Sequence, residues 1–127
     1  MRQRLAIAAL LAPLAACTTL ADRFERGSQA LSTGDGAAYF VRIGPILQDA
    51  LNICIPSSLK PPSPTIMVLA DIDAVGAASD VVIEPESEGT RCIEDELGRA
   101  RFPAPPLAAG ATTFPLGIRI DLQPPRL

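Results

Sequence analysis

Four groups of residues in this chain could do chemistry by type and spacing. Asp71 and Asp73 alternate on one strand face, as paired carboxylates for acid–base work would. Ser57 and Lys60 have the Ser-x-x-Lys spacing of an acyl-enzyme nucleophile and its lysine. That chemistry needs two further motifs and a much larger chain, and here the pair lies in a proline-rich stretch. Asp71-Ile72-Asp73 followed by Gly76 has the start of a calcium loop, but Val75 and Val82 stand where further ligands are required. Glu84, Glu86 and Glu88 form a local acidic cluster, read as a solubilising loop. The chain has no histidine, which removes the commonest general base and the commonest metal ligand together. No catalytic residue, cofactor or metal site is assigned, and the chain is expected not to be an enzyme.

The most informative chemistry is at cysteine. Met1-Arg2-Gln3-Arg4 carries two positive charges, Leu5 to Leu11 is an unbroken apolar run, and Leu14-Ala15-Ala16-Cys17 follows. Positive, apolar and small-residue regions in that order make a secretory signal. The apolar run is too short for a spanning helix, which needs about 20 residues. Leu14-Ala15-Ala16-Cys17 resembles the lipobox of bacterial lipoproteins. The resemblance implies cleavage before Cys17, a diacylglyceryl thioether on its sulfur and an acylated new N-terminus. Thr18-Thr19 follow without an aspartate, which by the same resemblance favours the outer membrane over the inner one. Multiple acyl chains satisfy the two-signal requirement for stable anchoring.

Three cysteines are present, so lipidation of Cys17 leaves Cys54 and Cys92. An exported domain with two remaining cysteines most simply pairs them. The alternative is two buried free thiols. Two sulfurs without histidine fill only half of a zinc shell. Without Arg2 and Arg4 the exported part has nine basic residues against 14 acidic ones, a net charge of about −5. An acidic chain without a basic stripe argues against nucleic acid and anionic lipid as electrostatic partners.

The elements that position these groups follow from apolar spacing. Residues 1–16 are the signal segment and 17–36 a tether with a short helix. Leu20, Phe24 and Leu31 mark that helix, and Gly34-Asp35-Gly36 is expected to end it. Residues 37–127 form one small α/β domain. Its first helix runs from about Ala37 to Cys54, with Phe40, Ile43, Leu47, Leu51 and Cys54 on one apolar face. Gly44-Pro45 should kink or restart it. Residues 57–64 are a proline-rich connector.

Thr65 to Ala74 is a strand with Ile66, Val68, Ala70 and Ile72 on one side. Val75 to Ala78 is a turn with Gly76 at positive φ, and Ser79 to Glu84 returns antiparallel until Pro85. A helix over about Thr90 to Ala100 buries Cys92, Ile93, Leu97 and Ala100. Residues 103–110 connect it to a last strand, Thr113 to Leu122, with Phe114, Leu116, Ile118, Ile120 and Leu122 as a core wall. Pro115 marks that strand as an edge or a bulge. Residues 123–127 are a tail. The fold class is α+β: a three-stranded antiparallel sheet, β-β-α-β, with helices packed on one face and N-terminal helices before it.

Over residues 65–122 this order is similar to TonB C-terminal domains. The words that carry it are Ile72-Asp73-Ala74-Val75-Gly76, Asp80-Val81-Val82-Ile83, Arg101-Phe102-Pro103-Ala104-Pro105 and the apolar last strand. A cysteine before the first strand, another early in the helix, and Phe114-Pro115-Leu116 resemble more closely the related myxobacterial gliding-motility C-terminal domain. The resemblance covers about half of the exported part. It implies the same sheet and partner binding by strand addition at a sheet edge. TonB has an inner-membrane helix and a long spacer where this chain has a lipobox and almost no spacer, so energy transmission is not implied.

The reading is therefore a non-enzymatic, lipid-anchored envelope protein, at the outer membrane and facing the periplasm. Its partners are the bilayer, through acylated Cys17, and an envelope protein bound by strand addition, with no nucleic acid. The expected binding edge is Thr113, Phe114, Leu116 and Ile118, or alternatively Ser79 to Glu84. The competing reading is a small ligand-binding or hydrolytic lipoprotein using Asp71, Asp73 and the Ser57 to Lys60 loop.

Overall fold

The computed structural model describes residues 19–55 and 65–122 of the 127. The elements are α1 (Leu20–Leu31), α2 (Gly34–Cys54), β1 (Thr65–Asp73), β2 (Ala78–Glu84), α3 (Glu88–Arg99) and β3 (Thr113–Asp121). The three strands form one antiparallel sheet in the order β2-β1-β3. The class is α+β, as the alternation of apolar residues predicts.

The sheet has two different faces. On the first, Ile66, Val68, Ala70 and Ile72 of β1, Ile83 of β2 and Phe114, Leu116 and Ile118 of β3 are buried. They meet Tyr39, Ile43, Leu47 and Ala50 of α2, and Ile93 and Leu97 of α3, in one cluster. Register explains the continuity: Val68 lies opposite both Ile83 and Ile118, and Ile72 opposite Phe114. Side chains opposite one another project to the same side of a sheet. The Tyr39 and Phe114 rings meet edge to face at 5.3 Å.

On the second face α1 lies along β3. A Cβ on Gly117 would fall 2.6 Å from the Phe24 carbonyl oxygen, and one on Gly27 would overlap the Gly117 amide nitrogen. Two backbones approach this closely only where neither residue has a side chain. Leu69, fully buried, fills this face beside the glycine pair. The short helix read as part of a tether is thus, from Leu20 onward, packed on the sheet.

Local chemistry sets the helix ends. Thr19 and Asp22 form a capping box at α1, and Ser87 and Thr90 form one at α3. Thr90 is fully buried and its hydroxyl also donates to the Pro85 carbonyl at 3.1 Å. Gly76 adopts φ 91° in the β1–β2 turn, where the Asp73 carboxylate accepts from the Val75 and Ala77 amides.

Three sequence expectations change in α2. Gly34-Asp35-Gly36 opens this helix instead of closing the previous one, with Gly34 at φ 48° and the Gly36 backbone pressed against α1 at Ala30. Gly44-Pro45 does not restart α2; Pro45 faces solvent within a continuous 21-residue helix. Water can satisfy the carbonyl that proline leaves unpaired there. Phe40, placed on the buried stripe by spacing, is 43% exposed, whereas Tyr39 is 1% exposed. Tyr39 takes the inner position because its ring can pack on Phe114 while its hydroxyl donates to the Pro103 carbonyl at 2.8 Å.

Burial pushes the Tyr39 phenol up to about 12, partly offset by the Arg42 charge. A phenol whose pKa is higher in the fold than in the unfolded chain favours folding below the unfolded value, about 10. That contribution is lost as pH rises from about 10 through 12. Tyr39 is the only tyrosine, so its ionisation can be followed by ultraviolet absorbance without overlap. Tyrosinate formation is expected to be delayed beyond pH 10 and to accompany unfolding; a free-tyrosine titration curve in the folded protein would contradict this burial.

Candidate functional site

The residues singled out for acid–base chemistry have structural partners. Asp71 faces α1, where its carboxylate lies 3.9 Å from the Arg23 guanidinium. Asp73 is committed to the β1–β2 turn through two backbone amides. The two do share a strand face, as the alternation requires, yet one serves helix docking and the other turn closure. Ser57 and Lys60 lie outside the described residues, as do Cys17, the signal segment, the 57–64 connector and the 123–127 tail. Among the described residues no three acidic or cysteine side chains converge as a metal shell.

Open hollows lie beside the helices. One, about 320 Å³, lies between α2 and α3 over Ile46, Ala50, Leu97 and Ala100, with Asp49, Glu96, Arg99 and Arg101 around it. Another, about 530 Å³, lies between α1 and β2 and is bounded by Arg23, Arg26, Asp71, Asp80, Val81 and Val82. Arg23 donates to the Asp80 carbonyl at 2.9 Å across this second hollow.

Cys54 and Cys92 are joined by a disulfide with Cα atoms 5.6 Å apart. Cys54 ends α2 and Cys92 sits in the second turn of α3, so the bond ties the two helices that cover the core face.

The remaining candidates are sheet edges. With β1 central, β2 and β3 are both edge strands. The Asp73 amide donates to the Ala77 carbonyl at 2.9 Å, so odd residues of β1 bond toward β2 and even ones toward β3. By the same alternation Thr113, Pro115, Gly117 and Arg119, which face odd β1 residues, turn their peptide groups away from the sheet. Pro115 has no N–H to offer on that side, which is why a proline is tolerated in this strand. The outward Gly117 carbonyl is taken by the Ser28 hydroxyl at 3.1 Å. Arg119 extends over the Phe24 ring, 5.0 Å from its centre.

Thr113, Phe114, Leu116 and Ile118 therefore lie on an edge strand. Phe114, Leu116 and Ile118 turn their side chains into the core, and α1 covers the middle of the edge. The other expected edge differs. Ser79 and Asp80 are exposed, Asp80 has φ 50°, and the pairing with β1 shifts there by one residue. Beyond this bulge Val81, Val82 and Ile83 continue as regular strand to Glu84. Ile83 faces Val68, an even residue, so its peptide groups point outward.

The edge cover by Ser28, Gly27 and Gly117 is the feature that the sequence reading did not assign. The available signal was a glycine inside a helix and another inside the most regular strand, a combination that marks close backbone approach. No helix among the described residues is long and apolar enough to cross a membrane. Comparison with protein-family models, with curated proteins and with solved structures finds no significant match.

Proposed function

We propose that this chain is a lipid-anchored protein-binding module of a bacterial cell envelope, an adaptor or structural component that faces the periplasm from the outer membrane and carries out no catalysis. The observation that carries the reading is the division of its three cysteines. Cys54 and Cys92 are joined, which leaves Cys17 as the single remaining thiol, at the lipobox position after a signal-like segment. A disulfide suits an oxidising, exported location.

The binding mode is addition of a partner strand to the sheet, in keeping with the resemblance to TonB C-terminal domains. The favoured edge is β2 from Val81 to Glu84, because α1, Ser28 and Pro115 obstruct β3. Edge peptide groups supply affinity in such complexes and alternate side chains supply selectivity.

The test is fractionation of cells making the full chain, with mass analysis of its mature N-terminus. The native protein is expected in the membrane fraction with acyl chains on Cys17, and Cys17→Ser in the soluble fraction. A Cys17→Ser variant that stays with membranes, or an unacylated native N-terminus, would refute the anchor.

A further inference from the structure

We infer that the first turn of α1 rests on the bilayer surface, so that the domain stands on its α1 and β3-end pole with the β1–β2 turn pointing away from the membrane. The inference rests on acylation of Cys17 and adds an orientation to it. Only Thr18 and Thr19 separate Cys17 from Leu20. Three Cα steps reach at most about 11 Å. Thr19 is already fixed by the capping box, its hydroxyl accepting from the Asp22 amide at 3.0 Å. An acyl chain on Cys17 therefore has almost no slack with which to hold the domain off the surface.

The direction of α1 follows from what it touches. Phe24 lies by Arg119, Gly27 by Gly117 and Leu116, and Ala30 by Gly36, at the entrance of α2. Along α1 the contacts run from Arg119 to Gly117 and Leu116 and then to the start of α2, so the helix begins toward the Asp121 end, while the long Arg23 side chain reaches across the sheet to Asp71 and Asp80. Asp121 pairs with Thr65, whereas Asp73 and the turn after it lie at the opposite end of β1. Nine residues of strand put roughly 25 Å between those ends. Leu20, 39% exposed, stands in the first turn of α1, Ile53, 60% exposed, is near the end of α2, and Val75, 66% exposed, is in the turn at the upper pole.

Charge does not drive this apposition. Asp22, Glu84, Glu86, Glu88 and Asp121 lie toward the lower pole against Arg91 and Arg119, so the balance there is acidic and an anionic leaflet would not attract it. The partner that fits is a zwitterionic surface entered by the acyl chains, with Leu20 at the interface.

The chain has no tryptophan, so Leu20→Trp and Val75→Trp each report from one known place. Both positions are exposed, and preservation of the Cys54–Cys92 bridge checks folding. The acylated full chain is reconstituted in phosphatidylcholine vesicles carrying a nitroxide-headgroup lipid. Quenching should be about threefold stronger at Leu20→Trp than at Val75→Trp, since nitroxide acts over near-contact range and strand geometry separates the two sites. With Cys17 shown by mass to be acylated, equal quenching or stronger quenching at Val75→Trp overturns the orientation alone. An unacylated Cys17 overturns the anchor, and the orientation with it.

Discussion

Replacing Cys54 and Cys92 together by alanine is expected to lower the stability of the domain by roughly 4 kcal/mol. The bond closes a loop across a sequence separation of 38, and a loop of that size restricts the unfolded chain by about this amount. Native proteins of this size have about 5–15 kcal/mol in total. The bond thus supplies a large fraction of what keeps α2 and α3 over the sheet. The melting temperature should fall by roughly 15–30 °C, from the usual sensitivity of small domains. If the double variant does not fold, reduction of the native protein gives the same comparison, with circular dichroism as readout. A fall of only a few degrees on reduction would show that helix packing alone holds the core face.

The second large effect is at the glycine pair. Gly27→Ala is expected to cost at least about 2 kcal/mol, although alanine is the better helix former by about 1 kcal/mol. The added carbon has no space, because what it meets is the Gly117 backbone and not a side chain that can rotate away. Gly98→Ala, in α3, meets nothing within 4 Å and should change stability in the opposite direction, by roughly +0.5 to +1 kcal/mol. Opposite signs for two glycine-to-alanine changes in two helices are the diagnostic outcome, read from urea midpoints. Gly27→Ala should also loosen α1 from β3 and expose the outward Gly117 carbonyl. Increased self-association of that variant by light scattering is the expected sign of an opened edge. Equal and small effects at both glycines would mean that α1 is only loosely seated.

The strands were legible because an apolar residue recurs at every second position along one face, at Ile66, Val68, Ala70 and Ile72 and at Phe114, Leu116 and Ile118. Ile66 to Ile72 and Phe114 to Ile118 lie inside, and Gly76 turns the chain where its position requires positive φ. The cysteine pair was legible from counting, because two cysteines remain once Cys17 is set aside. Two things escaped. The inner residue of α2 is Tyr39 and not Phe40, because a hydroxyl with a carbonyl partner makes tyrosine an acceptable core residue, and hydropathy does not register that. The covering of β3 by α1 escaped for a different reason. Helix–sheet contact through two glycines leaves no apolar stripe to read, so Gly27 and Gly117 look like weak points in their elements. For the proposed binding by strand addition, that contact covers the middle of β3 and leaves β2 as the favoured edge.

The bridge between α2 and α3 also encircles the central strand in the covalent sense. β1 and β2 both lie between Cys54 and Cys92 in the chain. A protease that cuts once anywhere in that interval, including the 57–64 connector, yields two pieces still joined through sulfur. The nicked species would run as a single band without reductant and as two with it, so hydrolysis there would not separate the N-terminal part of the chain from the C-terminal part.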